Sequence, residues 1–103
     1  YQAFLNGDAN AVLAFGTDGQ VAGYDLVILE DDQGLWPPYR VAPVIRQETL
    51  NACPGAATLL NEVQPLLTSE VMADLNWQVD GDEAREPEDV ARDFLVENGL
   101  IEE

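Results

Sequence analysis

Phe15-Gly16-Thr17-Asp18-Gly19, then Tyr24-Asp25-Leu26-Val27-Ile28-Leu29-Glu30-Asp31-Asp32, then Leu35-Trp36-Pro37-Pro38-Tyr39 form the stretch that decides how this chain is read. Aromatic residues stand at both ends of it, each beside residues that turn or stiffen the backbone. Glycine admits backbone angles that other residues resist, and proline fixes φ. Nothing in the stretch pairs a nucleophile with a base. The pattern suits a site that holds a ligand rather than one that transforms it.

Working outward, Ala11 to Phe15 is a short apolar run before the glycine-rich turn. Leu26 to Leu29 is a second, rich in branched residues. Val41 to Ile45 is a third, and Pro43 within it points to an edge or a bulge. Each predicts a strand. Upstream, Tyr1 to Asn6 reads as the last turns of a helix that Gly7 stops. A helix without an N-terminal cap, in a chain without an initial Met, suggests a fragment of something longer.

Downstream the period becomes helical. A short helix is expected over Glu48–Ala52 and a second from Pro54 to Gln64, which Pro65 interrupts. Thr68 is placed to cap a third, with Val71, Met72, Leu75 and Val79 on its apolar face. Asp80-Gly81-Asp82 ends it. Pro87 opens the last helix, with Glu88 and Asp89 at its positive end and Val90, Phe94 and Leu95 as the buried stripe. Gly99 stops it. Strands first and helices later fit part of an α/β domain.

The 103 residues are one domain at most. Such a chain buries roughly 60–70% of its unfolded surface. Twenty acidic residues face four arginines, with no lysine and no histidine, for a net charge of −16. Nucleic-acid binding needs clustered Lys and Arg, so that class is excluded. Anionic membranes are repelled as well. The acidic surface reads as a solubilising coat, or as a field that draws cationic ligands into a cleft. The lone Cys53 forms no internal disulfide and reads as a small buried hydrophobe. Without histidine, Ser-His-Asp and Cys-His catalysis and ordinary zinc sites fall away. No cofactor is expected.

Other candidates have plain readings. A calcium loop starting at Asp80 would place Ala84 and Ala91 where ligands are required, so it reads as an interhelix loop. Asp31 and Asp32 are neighbours on an extended segment and point apart, which suits a solvated loop better than shared ligation. Trp77 reads as a core or domain-contact residue, and Trp36 as packing or ligand contact. Phe15 and Tyr39 lie at the end or edge of strand candidates, where α/β folds place ligands. Both also have a core or structural reading. Thr17 and Asp18 read either as ligand neighbours or as caps of the turn.

These segments, with Ala42-Pro43-Val44-Ile45-Arg46, Leu75-Asn76-Trp77-Gln78-Val79-Asp80 and Pro87-Glu88-Asp89-Val90-Ala91-Arg92-Asp93-Phe94-Leu95, resemble the C-terminal third of the glycine betaine/carnitine/choline-binding proteins of ABC importers. The likeness runs through nearly the whole chain. It implies part of a two-lobed, type II periplasmic-binding-protein clamshell of α/β lobes, with residues 1–18 near the hinge or in the second lobe and 19–103 in the first. It implies an extracytoplasmic protein that catalyses nothing. It binds a quaternary ammonium solute in an aromatic cage and delivers it to a transporter permease.

On the resemblance, Tyr39 matches a cage tyrosine and Phe15 falls where many members carry another. Thr17 lies in the same ligand-facing turn, beside the carboxylate or hydroxyl end of the ligand, and Asp18 matches the motif. The rest of the binding protein would be a partner of this chain, and exposed strand edges would invite pairing with a second copy. Alone, the chain is expected to bind such ligands weakly, if at all. A rival reading is a stand-alone acidic interaction domain with Trp36 and Tyr39 in a protein-binding patch. An enzyme using Asp18, Asp31 or Asp32 ranks last.

Overall fold

The structure is a computed structural model that describes residues 1–102. Six helices follow in chain order: α1 Gln2–Leu5, α2 Gly19–Gly23, α3 Gln47–Ala52, α4 Ala56–Val63, α5 Ser69–Asp80 and α6 Pro87–Glu97. A 3-10 turn over Gln64–Leu66 extends α4. The chain divides into two compact units. One comprises Tyr1–Ile28 with Ser69–Glu103, the other Leu29–Thr68.

The helical half of the sequence reading stands. α5 begins directly after Thr68, α6 begins at Pro87, and Gly99 takes a φ of +68° just beyond α6. Leu100 N–H reaches back to the Leu95 carbonyl at 2.9 Å, closing the helix end. Asn98 Nδ2 adds a bond to the Phe94 carbonyl. α1 is the short turn expected ahead of Gly7, which has a φ of +81°. At Pro65 the α4 helix tightens into the 3-10 turn, because proline lacks the N–H that would continue it.

The strands are corrected. Ala11–Phe15, Leu26–Leu29 and Val41–Ile45 form no ladder among the described residues, which carry helices and no strand. Their apolar side chains lie open: Val27 is 86% exposed, Leu29 81%, Val41 95% and Val44 98%. A strand exists only when a neighbour accepts its N–H groups and donates to its carbonyls. Apolar, branched composition supplies the faces of a sheet but not the partner. An α/β sheet is therefore not what these residues build by themselves.

α2 was not expected, since its sequence carries a glycine at each end. In the first unit it packs chiefly on α5. Gly19 and Gly23 are four apart and so share one helix face. A Cβ on Gly19 would stand 2.7 Å from the Trp77 backbone nitrogen and 2.8 Å from the Asn76 carbonyl carbon. A Cβ on Gly23 would overlap the Trp77 ring, 2.5 Å from Cε3. Only hydrogen at both positions lets the helices approach this closely. Gly81 also lies against Trp77, where a Cβ would stand 2.7 Å from Cε2. Tyr24 meets the indole edge-on at 5.2 Å between centroids, a favourable geometry for ring quadrupoles.

Ala73 of α5 and Val90 of α6 are the buried apolar side chains among the described residues. The α5–α6 turn is held by Arg85, whose N–H bonds the Gln78 carbonyl at 2.9 Å. Its guanidinium binds Gln78 Oε1 at 2.6 Å and pairs with Asp93.

In the second unit, Asp31 closes the polar loop. Its carboxylate accepts the N–H of Leu35 at 2.9 Å and of Trp36 at 2.8 Å. Those two bonds hold its pKa below the usual carboxylate range, the Trp36 bond most of all. Asp31 thus serves as the knot of a turn. Cys53 is exposed, against the expectation of a buried hydrophobe.

Candidate ligand-binding site

The turn from Phe15 to Asp18 ends directly at α2, and its conformation is locked twice. Asp18 N–H donates to the Phe15 carbonyl at 3.0 Å. In return the Asp18 carboxylate accepts the Phe15 N–H at 3.2 Å. Asp18 sits at the N-cap of α2 in an extended conformation. Its carbonyl receives the Val21 N–H at 3.0 Å. Its side chain faces back into the turn rather than capping the helix, so the turn reading of this residue is the one that its bonds express.

Tyr1 supplies a second lock. Its phenol donates to the same Asp18 oxygen at 2.7 Å. Both residues are half-buried. Burial pushes the Tyr1 phenol up to about 12, and the Asp18 hydrogen bond and negative charge add to that shift. An ionised phenolate beside a carboxylate would be repelled in poorly hydrated surroundings, so the phenol keeps its proton.

α5 supplies a third. Asn76 Nδ2 donates to the Thr17 carbonyl at 2.6 Å across 59 positions of sequence. The acceptor is a carbonyl oxygen, so the amide must present its nitrogen there.

Of the residues singled out in the sequence, the structure brings Phe15, Thr17 and Asp18 together in this one turn. Phe15 is 64% exposed, and Thr17 is half-buried. Tyr39 belongs to the second unit, on the extended segment after Pro37-Pro38, and is 88% exposed. Large aromatic rings normally sit inside a fold or at a contact surface. Rings left this open are surfaces for something else to cover.

Beside the turn, the first unit carries an open cavity of about 440 Å³. Gly16, Val21, Leu26, Ile28 and Ala73 give it an apolar lining, and Asp25, Glu70 and Asp74 a negative border. Such a negative border repels anions.

Two contributors escaped the sequence reading. Asn76 stands within an otherwise amphipathic helix, where asparagine is a poor helix former. That mismatch was the available signal. The Gly19-x-x-x-Gly23 spacing was another; the sequence reading takes Gly19 only as the end of the glycine-rich turn.

Residues 1–97 match the family described as the substrate binding domain of the ABC-type glycine betaine transport system. The carnitine transport binding protein OpuCC of Listeria monocytogenes is 33% identical over 102 residues, which are 99% of this chain and 33% of that protein. The glycine-betaine-binding protein of Pseudomonas aeruginosa is 36% identical over 103 residues, 100% of this chain and 33% of its own length. The ergothioneine transport permease/ergothioneine binding protein EgtU of Helicobacter pylori is 38% identical over 100 residues, 97% of this chain and 18% of that protein. The chain thus spans a third of the length of the first two relatives and less of the third. The match runs through nearly the whole chain, and the chain belongs to the substrate-binding domains of ABC-type glycine betaine transport systems.

Proposed function

We propose that this chain carries one side of a site that binds a quaternary ammonium solute, such as glycine betaine, choline or carnitine, for uptake through an ABC transporter. Phe15 and Tyr39 offer ring faces to the cation. Thr17, with Asp18 bracing its turn, faces the carboxylate or hydroxyl end. A trimethylammonium group donates no strong hydrogen bond, so oxygen acceptors recognise it poorly. Ring faces attract it through their quadrupole, by roughly 0.5–2 kcal/mol per ring. The role is capture and delivery without catalysis.

The observation that carries the reading is the exposure of the Phe15 ring on a turn held by hydrogen bonds from three directions. A rigid turn presenting an open ring costs little ordering entropy when a ligand arrives. The names of the relatives support the ligand class, and the family match supports the transport role.

In this reading the exposed apolar segments Leu26–Leu29 and Val41–Ile45 become strands of an α/β lobe when the remaining part of the binding protein pairs with them. Residues 1–18 then lie near the hinge or in the second lobe and residues 19–103 in the first. The protein works outside the cytoplasmic membrane, free or anchored, and hands its solute to the permease. No described helix is long and apolar enough to cross a membrane.

The test is titration calorimetry of the full-length protein with glycine betaine, choline and carnitine, before and after Phe15→Ala and Tyr39→Ala. Each ring removed should weaken binding by about 2- to 30-fold, the equivalent of 0.5–2 kcal/mol. Wild-type affinity in both variants would exclude the proposed site.

A further inference from the structure

We propose that Asn76 is a positioning residue for ligand binding. It fixes, from the middle of α5, the turn that presents Phe15 and Thr17. The inference rests on the reading of that turn as ligand-facing.

Three observations carry it. First, the 2.6 Å bond from Asn76 Nδ2 ends on the carbonyl of Thr17, within the turn itself rather than in its flanks. Second, α5 meets the chain again two residues later. Gly19 is buried so closely against the Asn76 carbonyl carbon and the Trp77 nitrogen that no Cβ fits between them. Asn76 is thus the point where a side-chain bond and a backbone contact hold both ends of Thr17–Gly19. Third, the residue type is costly for its place. Asparagine is a poor helix former, because its side chain competes for backbone groups. At Asn76 the amide instead serves a distant carbonyl, a task that neither Leu nor Ala performs.

The other two locks on the turn, Tyr1 to Asp18 and Asp18 to Phe15, come from residues within or before it. Asn76 alone among these donors anchors the turn to a 12-residue helix. Without it the turn keeps its local bonds but loses its tie to the scaffold. Phe15 and Thr17 would then be ordered by the ligand at the moment of binding, and affinity would fall accordingly.

The experiment compares the full-length wild type with Asn76→Ala and Asn76→Asp by calorimetry with glycine betaine, choline and carnitine. Unfolding midpoints of the ligand-free proteins are measured alongside. Asn76→Ala should bind about tenfold more weakly, the loss expected for one part-buried hydrogen bond. A carboxylate at position 76 accepts but does not donate, so Asn76→Asp should bind as weakly at neutral pH. It should regain affinity, relative to wild type, as acidification protonates it.

A purely structural role would lower the unfolding midpoint of the folded variants and leave affinity untouched, which would overturn the inference. If the variants do not fold, the wild type carries the test by NMR. Saturation with the ligand that binds must shift the Asn76 side-chain amide resonances, and unmoved resonances overturn the inference. Phe15→Ala and Tyr39→Ala separate the two readings. Weakened binding in those variants with wild-type affinity in Asn76→Ala sinks the positioning role alone. Wild-type affinity in all of them sinks both.

Discussion

Gly23→Ala should destabilise the protein, although alanine is the better helix former. The added methyl would lie about 2.5 Å from Trp77 Cε3, with Cδ2 and Cε2 nearer still. Carbon atoms pack at about 3.5–4.0 Å, so ring and helix must separate by at least ~1 Å. The ring has little room to retreat. A Cβ on Gly81 would itself lie 2.7 Å from Cε2, and Tyr24 meets the ring edge-on at 5.2 Å between centroids. Overpacking of this kind costs about 1–3 kcal/mol. The helix-propensity gain of Ala over Gly offsets at most about 1 kcal/mol, and less at the end of a five-residue helix.

The net loss should be about 1–2 kcal/mol, read from the midpoint of urea denaturation followed by far-UV circular dichroism. Gly55→Ala is the matched control, because nothing lies within 4 Å of a Cβ there and φ is −71°. That change should be neutral or stabilising, by up to about 1 kcal/mol. In a Trp77→Leu background Gly23→Ala should cost less, since the methyl then has space; the cycle isolates the pair. A Gly23→Ala variant as stable as Gly55→Ala would refute the account of how α2 is seated.

Two further outcomes concern titrations. Of the three tyrosines, Tyr1 should ionise near pH 12 in an ultraviolet titration, and Tyr1→Phe should remove that step. Because the folded value is raised, the stabilisation from the Tyr1–Asp18 bond is complete below the ordinary tyrosine pKa of about 10 and fades as pH climbs toward 12. The Asp31 carboxyl should titrate below its usual range by NMR, with the Leu35 and Trp36 amides moving at the same midpoint. Its folded value is lowered, so its contribution is present above the ordinary carboxyl pKa and disappears as pH falls through the depressed one. Asp31→Asn should abolish the shared transition.

The helices after residue 46 were legible because their signals are local. Pro87 with Glu88 and Asp89, the Val90–Phe94 spacing and Gly99 lie within one segment, and the hydrophobic period repeats inside it. Phe15, Thr17 and Asp18 were legible as a group because a turn is also local. The strands were legible only as composition. Leu26–Leu29 and Val41–Ile45 have the residues of buried strands, but a ladder is a relation between segments, and the described residues contain no partner for them.

The α2 helix was hidden for the opposite reason. Two glycines ordinarily argue against a helix, and here they are the condition for packing on Trp77. Neither Asn76 nor Tyr1 could be tied to the turn from sequence, since each acts through a bond spanning 17 or 59 positions.

The amino-acid sequence by itself determined the family, the acidic, histidine-free composition, and the bounds of the longer helices. All three depend on residue identity and near-neighbour spacing. Only the tertiary structure decided that Asp18 locks its own turn, that Asn76 ties that turn to α5, that Gly19 makes room for the α5 backbone, and that Gly23 and Gly81 make room for one indole. Those outcomes depend on which distant groups meet at 2.6–3.2 Å, and on where even a single methyl would not fit.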